Sequence, residues 1–189
     1  MILGLLKEYG TETRVALLPE TVKAFTDLKV EVIVEQGAGE NAFAADADYV
    51  AVGAKIVSRA EVFKQAEVLL QIQPPADGDT QKIKDSQVWI SAFNPLWETE
   101  LVKTFLKKGV TTFSLDLIPR TSRAQAMDIL SSMATVAGYQ AALEAAAILP
   151  TFFPMFMTAA GTIRPANVLI LGAGVAGLQA IAVSRKLGA

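Results

Sequence analysis

Two stretches of this sequence carry residue types at spacings that could do chemistry. The first is Gly172-Ala173-Gly174-Val175-Ala176-Gly177. This G-x-G-x-x-G run follows the apolar residues 166–171 and precedes an apolar segment holding Leu178, Ile181 and Ala182. That placement, strand then turn then helix, gives physical meaning to an otherwise weak motif. Gly172 permits a tight turn, Gly174 lets backbone approach a pyrophosphate, and Gly177 lets the helix lie close on the strand. Val175 and Ala176 open the helix, whose free N–H groups and partial positive charge would face the phosphates. The competing reading is a glycine-rich strand-to-helix turn that only packs tightly.

The second stretch is residues 119–132, PRTSRAQAMDILSS. Ser122 with Gln125 three residues later fits a capping box, in which Gln125 only satisfies an orphan N–H at a helix start. On the other reading, Gln125, Asp128, Ser132 and Thr135 recur at i, i+3, i+7 and i+10, lining one helix face with small polar groups, and Ser131 adjoins them. Polar groups buried there need partners, from the protein or from a ligand. Arg120 and Arg123 stand at the helix start, where the dipole disfavours cations, so each should answer to a nearby anion or carboxylate.

Absent residue types narrow the chemistry further. The chain has no histidine and no cysteine. Disulfides, thiolate catalysis, zinc-finger spacings, a Ser-His-Asp triad, a His metal site and an imidazole base are therefore excluded, and no metal site is expected. Proton chemistry would rest on Asp, Glu, Lys or Tyr. With 17 basic and 19 acidic residues the formal charge is −2, which provides no general field for nucleic acid or anionic lipid. The apolar run at the N-terminus meets charge at Lys7, too soon for a signal peptide, so a cytoplasmic address is the default.

The elements that position these stretches read as alternating strands and helices. Residues 2–6, 30–34, 68–72, 88–93 and 110–115 are strand-like. Between them lie helical segments beginning at Pro19 and at Ser58, where Ser58-Arg59-Ala60-Glu61 fits a capping box, and another over 97–108. Residues 74–79 read as a loop. Such alternation predicts an α/β fold, a parallel sheet of Rossmann-like or flavodoxin-like type with flanking helices. Residues 121–149 read as one long Ala-rich linking helix and residues 166–171 as a strand. Beyond residue 128 the only charges are Glu144, Arg164, Arg185 and Lys186. The uncharged stretches 145–163 and 165–184 approach a bilayer span, but Pro150, Pro154, Gly161, Pro165 and the glycine run suit a buried strand and turn better. The expected organisation is an N-terminal α/β domain over 1–120, the linking helix over 121–149, and the incomplete start of a dinucleotide-binding Rossmann domain over 150–189. An acidic residue that would read the ribose falls about 20 positions past the glycine run, beyond Ala189.

PRTSRAQAMDILSSMATVAGYQAALEAA and FFPMFMTAAGTIRPANVLILGAGVAGLQA closely resemble the NAD(H)-binding domain of the alpha subunit of proton-translocating NAD(P) transhydrogenases. The opening KEYGTETRVALLPETV is similar both to that family and to the related alanine dehydrogenases. The resemblance covers essentially the whole chain but about the first half of the family's domain. It implies that Arg120, Gln125, Asp128 and Ser131 hold the nicotinamide ring, and that Gly172, Gly174, Val175, Ala176 and Gly177 form the pyrophosphate turn for NAD. In alanine dehydrogenases an Arg, a Lys and a His bind substrate and carry protons. Arg14 matches the first, whereas Gln71 and Gln73 stand at the second and Asn94 at the third. Hydride exchange between two nicotinamides needs alignment of the rings rather than a base, which suits a chain without histidine.

By the same resemblance the partners are NADP(H)-binding and membrane domains or subunits, with a homodimer and a location peripheral to the inner membrane through those partners. The chain by itself is then expected to be inactive. Two alternatives stand beside this reading: an alanine dehydrogenase-like amino-acid dehydrogenase, and a non-catalytic fragment or interaction module.

Overall fold

The computed structural model describes residues 1–76 and 78–189. The loop expected over 74–79 includes residue 77, which lies outside them. Two compact units result, Met1–Ile118 and Pro119–Ala189.

In the first unit the chain runs β1 (Ile2–Leu5), α1 (Pro19–Asp27), β2 (Glu31–Glu35), α2 (Asp46–Ala51), β3 (Lys55–Val57), α3 (Arg59–Gln65), β4 (Val68–Leu70), α4 (Asp79–Lys82), β5 (Val88–Ser91), α5 (Thr99–Lys107) and β6 (Thr111–Ser114). The six strands form one sheet in the order β3-β2-β1-β4-β5-β6, and every pairing is parallel. This is the Rossmann-like α/β architecture that the alternation predicted. β3, α2 and α4 were not anticipated, and Asp79, expected in a loop, opens α4; β3 is only three residues long at an edge, too short for a period-2 pattern to register.

Alternation along the strands builds the two sides of the core. Val32 and Val34 pack with Leu3, Leu5, Val22 of α1 and Tyr49 of α2, while Ile33 between them packs with Leu69, Val62 and Phe63 of α3, Trp89 and Phe105 of α5. Successive side chains of a strand point to opposite faces, so strands covered on both faces read as continuous apolar runs. Two of these helices start where the sequence supplies a proline or a side-chain cap. Pro19 occupies the first turn of α1, and the Ser58 hydroxyl accepts the Glu61 N–H at the start of α3.

In the second unit α6 (Ile129–Ile148) precedes a two-stranded antiparallel hairpin of β7 (Phe156–Thr158) and β8 (Gly161–Ile163), and α7 (Val175–Lys186) follows. Two expectations need correction here. The helix does not run from Thr121: residues 125–127 form a 3-10 turn, and α6 starts at Ile129 because Asp128, not Ser122, caps it. Residues 166–171 are not a strand. Only Ala166 of that stretch donates a backbone hydrogen bond among the described residues, to the Phe153 carbonyl at 3.1 Å; an extended segment without a ladder partner is not a strand. Among the described residues no helix is long and apolar enough to cross a membrane.

Candidate functional site

The glycine run forms the N-terminus of α7. Gly172 has φ +113°, a conformation that side chains disfavour, and a Cβ there would meet nothing within 4 Å. Backbone conformation alone selects glycine at this position. At Gly177 the reason is contact: a Cβ would fall on the carbonyl oxygen of Gly172 and 3.0 Å from its carbon. Gly174 has neither restriction from the protein. Its φ is −75°, it precedes the first residue of α7, and the space before it is open to at least 4 Å. Among the described residues no side chain caps the helix, and the first-turn N–H groups of Val175, Ala176 and Gly177 have no intrahelical partner. An opening bounded by bare backbone and a helix N-terminus fits the phosphates of a dinucleotide.

The polar stretch organises around one carboxylate. Asp128 is buried at the start of α6. Its Oδ1 accepts the N–H groups of Leu130 at 3.0 Å and Ser131 at 3.1 Å, and its Oδ2 accepts the Ser131 hydroxyl at 2.7 Å. The Ser132 hydroxyl donates to the Asp128 carbonyl at 3.1 Å. The Ser131 hydroxyl bond, then the backbone N–H groups and the positive charge of Arg120, hold the Asp128 carboxyl below its ordinary range. Donors that meet the ionised form favour it. Asp128 and Ser131 are thus brought together, and Arg120 is within electrostatic reach.

Gln125 lies in the 3-10 turn ahead of α6 and is exposed, so it does not share a helix face with Ser132 and Thr135. Arg120 and Arg123 are exposed as well. Among the described residues neither arginine makes an ion pair, which leaves both guanidinium groups available to an anionic ligand.

In the first unit a different polar cluster gathers at the carboxyl ends of β1 and β4, the neighbours at which the strand order reverses. Such a crevice is the usual ligand position in open α/β sheets. Here the protein's own polar groups bond to one another. Buried Glu8 accepts the N–H groups of Ile72 at 2.6 Å and Gln73 at 3.1 Å. Burial pushes its carboxyl above the ordinary range despite those bonds. Gln71 is fully buried, donating Nε2 to the Lys7 carbonyl at 3.1 Å, and its Oε1 finds no partner among the described residues. Gln73 accepts the Tyr9 N–H at 3.3 Å. Arg14 is held by Glu12 through Nε at 2.9 Å and Nη2 at 2.6 Å. That bidentate bond lowers the Glu12 carboxyl to about 2 and raises Arg14. Asn94 is exposed after β5 with φ +46°. Glu8 and Glu12 were missed from sequence, although two acids flanking Arg14 in KEYGTETR were a visible signal.

Residues 4–137 match the family model described as "Alanine dehydrogenase/PNT, N-terminal domain", and residues 141–189 match "Alanine dehydrogenase/PNT, C-terminal domain". The chain belongs to the alanine dehydrogenase/PNT family. Within it, the chain is 46% identical over 184 residues to an NAD(P) transhydrogenase alpha subunit of Rhodospirillum rubrum, covering 94% of this chain and 48% of that relative. The crystal structure of transhydrogenase from Sinorhizobium meliloti superposes with a TM-score of 0.94 at 41% identity, covering 100% of this chain and 55% of that one. Alanine dehydrogenase of Methanococcus maripaludis is a more distant member, 29% identical over 194 residues, covering 100% of this chain and 52% of the relative. The chain thus spans about half the length of these family members.

Proposed function

We propose that this chain is part of the NAD(H)-binding component of a proton-translocating NAD(P) transhydrogenase, with residues 1–120 and 150–189 belonging to two domains linked by residues 121–149. The observation that carries the reading is the uncapped N-terminus of α7 behind the open face of Gly174. Gly172, Gly174 and Gly177, with the N–H groups of Val175 and Ala176, would hold the pyrophosphate. Arg120, Gln125, Asp128 and Ser131 would orient the nicotinamide and its carboxamide. When bound, the nicotinamide supplies or receives the hydride; the chain's share is alignment rather than proton transfer.

Similarity to the Rhodospirillum rubrum subunit supports the transhydrogenase over the dehydrogenase. So does the state of the switch-point crevice, where Arg14 is occupied by Glu12 and Gln71 is buried. Partners on this reading are NADP(H)-binding and membrane domains, with a second copy of the subunit. The location is the cytoplasmic face of the inner membrane, held through those partners.

Titration of the chain with NADH, followed by nucleotide fluorescence, should give saturable binding. In the assembled transhydrogenase, Arg120→Ala or Gln125→Asn should slow hydride transfer. Wild-type transfer rates in both variants would overturn the site assignment. Turnover of pyruvate and ammonia with NADH would instead favour the amino-acid dehydrogenase.

A further inference from the structure

We infer that Gly138 is a positioning residue, fixing the separation between the Asp128–Ser131 cap and the glycine turn; the inference rests on the dinucleotide reading of those two sites. Gly138 lies in the interior of a twenty-residue helix, where glycine weakens the helix relative to alanine. The surrounding sequence, TVAGYQAALEAAA, offers alanine freely, so helix propensity does not account for the choice. Contact does. A Cβ on Gly138 would land on the carbonyl oxygen of Ala176 and 3.0 Å from its Cα, and Ala176 is the second residue of α7, inside the glycine turn.

Gly138 and Ala142 are the buried residues of α6, both small and one turn apart. The two helices therefore touch backbone to backbone at the residue where α7 presents its N–H groups. From Gly138 back to Ser131 and Asp128 is seven and ten residues, about 10 to 15 Å along the helix axis. A rigid rod of that length, pinned at one end to the phosphate-binding turn, holds the ring-binding cap at a set distance from it. Any side chain at Gly138 lengthens that connection, because it must push Ala176 outward to reach ordinary contact distance.

The test uses the absence of cysteine to place two nitroxide labels selectively, at Met133→Cys on α6 and Leu178→Cys on α7, both exposed. In Gly138→Val the label separation should grow by about 2 Å, and in the milder Gly138→Ala by less, as the added methyl groups reach van der Waals distance. NADH should bind Gly138→Ala about tenfold more weakly than wild type, since displacement on the ångström scale misaligns groups that act together. A glycine kept only for packing would lower the unfolding temperature and widen the label separation while NADH affinity stays at the wild-type value, which overturns the inference. An unchanged separation overturns it equally. Failure of the wild-type chain to bind NADH is a separate result: it removes the dinucleotide reading, and the positioning role with it.

Discussion

Asp128 concentrates the chemistry of the second unit in one side chain. Both its oxygens accept hydrogen bonds, from the Ser131 hydroxyl and from the Leu130 and Ser131 N–H groups. Its carboxyl is depressed chiefly by the Ser131 hydroxyl, so the ionised form is the one the fold stabilises. For a depressed acid, that stabilisation is present above the unfolded value of about 3.9 and is lost as pH falls through the lower folded value. Acidification below the ordinary carboxylate range should therefore weaken the start of α6, visible as a loss of helical signal in far-ultraviolet circular dichroism. Asn caps helices about as well as Asp and does not titrate. Asp128→Asn should keep the neutral-pH helix signal and remove its share of the acid transition; an unchanged acid limb would contradict this role. Arg14 teaches the reverse lesson at the same scale. Its residue type suits an anion site, yet Glu12 two residues earlier takes both ends of its guanidinium group.

Between elements, the strongest polar connection of the first unit is Arg59, at the start of α3. Its guanidinium meets Glu35 at the end of β2 at 2.6 Å, the Lys7 carbonyl after β1 at 3.1 Å, and Asp79 at the start of α4. Asp79 is almost fully buried, and the Arg59 and Lys82 bonds together keep its carboxyl low against the burial that raises it. Removing one member of a buried network leaves the other charges unmatched. Arg59→Ala should lower unfolding free energy by about 3 kcal/mol in urea denaturation, with Lys82 still covering part of Asp79. A change indistinguishable from zero would show that solvent screens the network. None of this was legible in the sequence, because residues 35, 59 and 79 meet only after three parallel strands are assembled. Five of the six strands of the main sheet were legible. Runs such as residues 32–34 and 88–90 are apolar on both faces of a covered sheet, so composition alone marks them. The start of α6 was misread because Ser122 and Asp128 are both good caps, and the local pattern does not rank them. The glycine turn was readable since the reasons for Gly172 and Gly177 are local, whereas the reason for Gly138 lies 38 residues away at Ala176.

At the scale of the molecule, apolar surface is unevenly covered. The first unit closes both faces of its sheet, while in the second unit Leu169 and Leu171 are 84% and 90% exposed in a stretch without a strand partner. Met157 at 78% and Phe156 beside it extend the exposed apolar character to the hairpin. Consecutive apolar residues with unpaired backbone invite pairing with another chain. Self-association of the 189-residue chain in solution should therefore rise with concentration and arise from the second unit. Light scattering checks the first statement, and a monodisperse monomer at all concentrations would contradict it. The second is checked by Leu169→Asp with Leu171→Asp, which places charge on the open stretch without touching the sheet of the first unit. Scattering should fall toward that of a monomer, while the urea unfolding of Met1–Ile118, followed by the fluorescence of buried Trp89, stays at its wild-type midpoint. Association that persists in the double variant would move its origin elsewhere on the chain, to the hairpin or to the exposed Leu96 and Trp97 after β5.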